Sequence, residues 1–152
     1  MKLAEALIVK ADLQGKLNYL SSRLYNNALI AEGEIPAENP TELIKETENT
    51  VKEIIRITAL INLTNVKAKW EGKSITELLA EREYRKKEIS ILRSFLDEAS
   101  MIGSRTRGSE IKIISTVPVK EIQKNLDGKS AELRKLDIKI QELNWTTDLI
   151  EE

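Results

Sequence analysis

The sequence contains no cysteine and no histidine among its 152 residues. These absences exclude disulfide frameworks, thiol nucleophiles, zinc fingers, Ser-His-Asp triads and histidine-ligated metals. We therefore expect a protein that is not an enzyme and that holds no cofactor and no metal. Aromatic residues are also scarce, at 4% of the chain, so the core must be built largely from Leu, Ile and Val.

The chain has no excess charge of either sign, because 24 Lys and Arg face 25 Asp and Glu. The net charge of −1 gives no overall field that attracts nucleic acid, so no nucleic-acid partner is expected. No apolar run reaches the roughly 20 residues needed to cross a bilayer, and no stable membrane insertion is expected. The amino terminus has no apolar signal-peptide core, which favours a cytoplasmic location.

Apolar residues recur with helical spacing in four long segments. The second helix has the clearest start, because Asn39 suits an N-cap and Pro40 suits the first helical position. The four segments run from about residue 2 to 31, 40 to 69, 75 to 103, and 118 to 144.

Short connections place sequential helices side by side. The sequence therefore predicts a mainly α fold with two long antiparallel helical hairpins, 1–70 and 74–149. Together they would form a single elongated helical domain, either a four-helix bundle or a coiled-coil-like arrangement.

One segment, 110–117, is β-branched and roughly alternating, which predicts a short strand between helices 3 and 4. A lone strand leaves its backbone groups unpaired, so the expected partner is the same strand in a second copy. The protein is therefore predicted to be a homo-oligomer, a dimer or a higher assembly. Its contact residues would be Ile111, Ile113, Ile114 and Val117.

Several polar residues interrupt the apolar seams, where a buried polar group needs a partner. They either fix helix register or line a ligand pocket, and the sequence leaves both readings open. For Arg82, counting back from the turn after helix 3 predicts a pairing with Asp137. The full set is Asn27, Asn62, Asn65, Arg82, Asp137 and Trp145.

Charged residues suggest two further functions. Arg105 and Arg107 lie on a Gly-flanked loop and are candidates for anion binding. A metal-dependent nucleotide hydrolase is the less favoured enzymatic alternative, because acidic pairs at three-residue spacing are absent except for Asp148 and Glu151.

Ten segments together resemble the bacterial family of helical proteins often labelled septicolysin, and they span nearly the whole chain. The most specific are Glu110–Lys112 and Asn144-Trp145. The resemblance implies a cytolysin, a pore-forming protein acting on membranes. The residues themselves favour a non-enzymatic helical homo-oligomer acting as a scaffold or binding module. The matching segments are Met1–Leu7, Lys10–Gln14, Asn27-Ala28, Glu32–Pro36, Ile61–Asn65, Leu79–Arg82, Ser109–Lys112, Ser115–Val117, Leu136–Trp145 and Asp148-Leu149.

Overall fold

The computed structural model describes residues 1–101 and 111–151. The predicted mainly α fold is confirmed. Within the described residues, the elements in chain order are α1 (Leu3–Asn26), α2 (Pro40–Lys67), β1 (Lys69–Trp70), β2 (Lys73–Ser74), α3 (Ile75–Ala99) and α4 (Val119–Thr146). The first hairpin is α1 with α2, and the second is α3 with α4, whose antiparallel direction is shown by the pairs Arg82–Asp137 and Glu88–Lys129.

The described chain divides into two units. Unit 1 contains residues 1–74 together with 143–151, and unit 2 contains residues 75–142. Unit 1 therefore joins the first hairpin to the carboxyl-terminal end of the chain.

The start of α2 follows the prediction. The Asn39 side-chain oxygen accepts a hydrogen bond from the backbone N–H of Thr41 at 3.0 Å, and Pro40 is the first helical residue. The end of α1 is earlier than predicted, at Asn26. Asn27 is the C-cap, and both its backbone N–H and its side-chain amide donate to the Arg23 carbonyl, at 3.2 and 2.9 Å.

A small β-hairpin occupies the break between α2 and α3, where the sequence analysis predicted no strand. Lys69 pairs with Ser74 and Trp70 with Lys73. The two turn residues, Glu71 and Gly72, have φ values of 48° and 82°. Two consecutive residues with positive φ match the right-handed twist of paired strands, which makes such a short connection possible.

The strand predicted over 110–117 is wrong for its described part, since residues 111–117 form no strand. Residue 110 lies outside the described residues. The Ser115 hydroxyl donates to the Val117 carbonyl at 3.2 Å and accepts from the Val117 N–H at 3.5 Å. β-Branched residues favour a strand only where a neighbouring strand is available, and here a local serine turn takes its place.

Each unit has its own core. In unit 1, Leu3 and Leu20 of α1 are fully buried, and α2 contributes Leu43, Ile57 and Ile61. In unit 2, the core is a cluster of Ile89, Leu96 and Leu126, against which further aliphatic residues pack. These further residues are Leu92, Val119, Ile122 and Leu133.

Candidate interaction surfaces

The first candidate surface is an exposed apolar stripe on α3. Tyr84, Ile91 and Phe95 are 64%, 62% and 42% exposed. Because they are seven and four positions apart, their side chains lie on one side of the helix. That side differs from the one on which Ile89 and Leu96 enter the core of unit 2.

This stripe continues into an open cleft of about 220 Å³ at the end of α3. The cleft is lined by Phe95, Met101, Ile113 and Ile114, together with small and polar neighbours. Monomeric proteins rarely expose contiguous apolar patches larger than a few hundred Å², and larger ones mark interaction sites. We call the set Tyr84, Ile91, Phe95, Met101, Ile113 and Ile114 the α3 face.

The residues predicted as oligomer contacts have different environments. Ile113 and Ile114 belong to the α3 face, and Ile111 is exposed beside them in sequence. Val117 is half-buried. Their role as contacts between copies stays a prediction. Because residues 111–117 form no strand, such a contact would use a helix and a loop and not two paired strands.

The second candidate surface is the loop at the tip of the first hairpin, which a polar network fixes at its base. Asn27 is buried and bridges the two ends of the loop. Its side-chain amide donates to the Arg23 carbonyl, and its side-chain oxygen accepts from the Glu38 N–H at 2.9 Å. These bonds favour the interpretation that Asn27 fixes the local structure over the alternative that it lines a ligand pocket.

An ion pair closes the same network. The Arg23 Nε donates to both carboxylate oxygens of Glu38, at 3.1 and 3.0 Å, and its Nη2 donates to one of them. These hydrogen bonds lower the pKa of the Glu38 carboxyl and raise that of the guanidinium. The guanidinium also lies 5.5 Å from the ring centre of Tyr19. No sequence pattern predicts this pair, because its partners are separated by a loop without periodicity.

The expected pairing of Arg82 with Asp137 is present in unit 2. The Arg82 Nη1 lies 3.0 Å from the Asp137 Oδ1, and the side chains are 28% and 46% exposed. A half-buried guanidinium on a largely apolar side of α3 thus has an acceptor from α4.

The remaining seam residues are less buried than expected. Asn62 is exposed, because Ile61, one position earlier, occupies the buried side of α2. Asn65 is half-buried. Trp145 is 57% exposed. The structure therefore gives no support for a pocket built by the whole predicted set.

The proposed anion loop, with Arg105 and Arg107, lies outside the described residues. Within residues 1–101 and 111–151, no group of three or more acidic side chains could hold a metal ion. In the same ranges, no helix contains an apolar stretch of the length that a bilayer span requires.

Backbone bonds in unit 1 join the two ends of the chain. The Leu3 N–H donates to the Thr147 carbonyl at 2.9 Å, and the Leu149 N–H donates to the Met1 carbonyl at 2.8 Å. Lys2 also pairs with Asp148 at 2.7 Å, and this contact lowers the pKa of the Asp148 carboxyl. Because these partners are far apart in sequence, no local pattern predicts them.

Comparisons with known proteins agree with this architecture. A solved structure, described as a functionally unknown conserved protein from Corynebacterium diphtheriae, is 34% identical and superimposes with a TM-score of 0.84. The alignment covers 99% of each chain. No functionally curated protein matches the sequence significantly.

A family model described as a family of unknown function, DUF6847, matches residues 10–149. Neither this match nor the solved structure supports the septicolysin label suggested by the resemblance. A match over nearly the whole chain shows membership, and the chain belongs to the DUF6847 family.

Proposed function

We propose that the protein is a non-enzymatic helical binding module that associates with copies of itself through the α3 face. The observation that carries this proposal is the α3 face, which exposes six large apolar side chains within one unit. Such a set presents several hundred Å² of apolar surface, and a stable interface buries about 800 Å² on each partner. The absence of histidine and cysteine supports a non-enzymatic role, and a cytoplasmic location belongs to the same proposal.

The sequence of α3 suits contact with a second copy. An antiparallel, two-fold contact centred on Ile91 places Tyr84 of one copy opposite Glu98 of the other. It also places Lys87 opposite Phe95. A tyrosine hydroxyl can donate to a carboxylate, and an ammonium group is attracted to an aromatic ring. Both the apolar centre of the stripe and its borders are therefore self-complementary.

The test is the mass in solution, measured by size-exclusion chromatography with light scattering over a range of concentrations. We expect the unaltered protein to have the mass of at least two chains. A double variant, Ile91→Glu with Phe95→Glu, puts like charges into the contact and should reduce the mass to one chain. Ile138→Glu is the matched control, because Ile138 is 69% exposed on α4 in the same unit but outside the α3 face.

Circular dichroism establishes that each variant retains its helices. A single-chain mass for the unaltered protein at every concentration would overturn the proposal. So would an equal loss of mass in the Ile138→Glu variant, since this result would assign the contact to another surface.

A further inference from the structure

The tip of the first hairpin exposes several large apolar side chains. Leu29 and Ile35 are 91% and 90% exposed, and Tyr25 and Ile30 are 79% and 50% exposed. The first two therefore bury almost nothing in their own chain. We call Tyr25, Leu29, Ile30 and Ile35 the tip cluster. A cluster with this exposure makes little contribution to folding, so a role in binding is the better explanation.

The stretch of sequence between Arg23 and Lys45, which carries the tip cluster, has charge of only one sign. From residue 24 to residue 44 the sequence has no Lys or Arg, although the chain as a whole is balanced. The same stretch contains four carboxylates, of which Glu38 is paired with Arg23. The other three, Glu32, Glu34 and Glu42, are exposed.

The loop that carries the cluster is fixed before any partner binds. The Arg23–Glu38 pair and the Asn27 bridge join its two ends. Within it, the Glu34 N–H donates to the Ala31 carbonyl at 3.0 Å across a turn that includes Gly33, whose φ is 88°. A preorganised loop loses less conformational entropy on binding, which increases its affinity for a partner.

We propose that the tip cluster docks into an apolar groove on a partner protein, and that Lys and Arg side chains border this groove. Apolar contact would supply affinity, and the three exposed carboxylates would select a basic rim. An anionic membrane surface would repel the same carboxylates. Contact between two copies of the tip would bring six of them together. This proposal does not depend on self-association through the α3 face, which lies in the other unit.

The test uses a fluorescent label at the tip, for which the absence of native cysteine is an advantage. An Ala28→Cys variant carries an environment-sensitive fluorophore and is titrated with a synthetic helical peptide of Leu and Lys that has one apolar side. A scrambled peptide of the same composition is the control. We expect saturable binding of the first peptide and at least about tenfold weaker binding of the second, or about 1.4 kcal/mol.

Two sets of changes separate the apolar and charged contributions. Leu29→Ser with Ile35→Ser removes apolar contact, and Glu32→Gln with Glu34→Gln removes charge. Each pair should weaken binding about tenfold or more, while Ile138→Ser in the labelled background should leave it unchanged. Circular dichroism tests whether all variants are folded.

Four outcomes would overturn the proposal. Equal binding of the scrambled peptide, or binding that survives the serine changes, would show attraction by charge alone. A response only to vesicles of phosphatidylcholine and phosphatidylglycerol would assign the tip to lipid. A fluorescence change only with unlabelled protein would show that the tip cluster binds a second copy of the chain.

Discussion

The Thr64 hydroxyl, in the last turn of α2, accepts a hydrogen bond from the Ile150 N–H at 2.9 Å across 86 residues of sequence. The same hydroxyl donates to the Leu60 carbonyl at 2.8 Å, and Thr64 is fully buried. One hydroxyl group thus satisfies a backbone N–H of the carboxyl-terminal segment and also forms a hydrogen bond within its own helix. The interrupted apolar seam singles out the neighbouring Asn62 and Asn65 but not Thr64.

Replacing Thr64 with Val should remove the acceptor for the Ile150 N–H while preserving the shape of the side chain. An unsatisfied backbone donor costs about 1 to 3 kcal/mol, so we expect a loss of about that size in the free energy of unfolding. Urea denaturation measures this loss, and amide hydrogen exchange should show faster exchange at Ile150.

Thr50→Val is the matched control for this experiment. Thr50 is also buried in α2, but its hydroxyl donates to the Glu46 carbonyl within the same helix. Its replacement should change stability by less than about 0.5 kcal/mol. Equal losses in the two variants would mean that the bond to Ile150 adds no stability.

Stability should fall in acid because of Glu38 and Asp148. Hydrogen bonds with Arg23 and Lys2 lower the pKa of these carboxyls in the folded protein. Their contribution is therefore complete above the unfolded pKa values of about 4 and is lost as the pH falls through the lower folded values. Urea midpoints measured between neutral pH and about pH 2 should decrease over this range.

Glu38→Gln and Asp148→Asn should each flatten this pH dependence, because an amide does not titrate. Glu48→Gln, on the exposed side of α2, should retain the dependence of the unaltered protein. If the Glu38 and Asp148 variants were as acid-sensitive as the unaltered protein, other groups would have to cause the loss.

A double-mutant cycle should detect coupling between Arg82 and Asp137. Both side chains retain solvent contact, so we expect a coupling energy of about 0.5 to 1 kcal/mol. Asp137→Leu should destabilise more than Arg82→Met, since it leaves the less exposed partner, a permanent cation, without its carboxylate. Strictly additive effects in urea denaturation would contradict the coupling. A larger loss of stability in Arg82→Met than in Asp137→Leu would contradict the expectation that an unpaired Arg82 costs more than an unpaired Asp137.

Two glycines should respond in opposite ways to alanine. Gly72 has a φ of 82°, so Gly72→Ala should destabilise the β-hairpin by about 1 kcal/mol or more. Gly128 lies inside α4, and a Cβ there would meet no atom within 4 Å. Gly128→Ala should therefore stabilise the protein by about 0.5 to 1 kcal/mol. Thermal unfolding measures both changes, and a destabilised Gly128→Ala variant would contradict the argument from helix propensity.

The features predicted from sequence are those with a local or periodic signal. Asn39 followed by Pro40 defines the start of α2, because both residues act on the helix they precede. The Arg82–Asp137 pair follows from helical spacing combined with a short connection between antiparallel helices. The error at 111–117 has the opposite origin, since β-branched composition reports compatibility with a sheet but not the presence of a second strand.

The features missed from sequence depend on distant partners or on weak turn signals. The Glu71-Gly72 turn joins strands of only two residues each, too short to show alternation. The bonds from Met1 and Leu3 to residues 147–149 have no local signature at all. The tip cluster is different. Its acidic stretch without Lys or Arg is visible in the sequence, but only the structure shows that the apolar residues in this stretch are exposed.

The discontinuous make-up of unit 1 has a consequence for biosynthesis. A ribosome makes the chain from its amino terminus, so α1 and α2 are complete long before the segment that bonds to them. Thr64, Met1 and Leu3 receive their partners only when residues 147–150 leave the exit tunnel. During translation, the bonds that join the carboxyl-terminal segment to α1 and α2 therefore form only after both helices have been made.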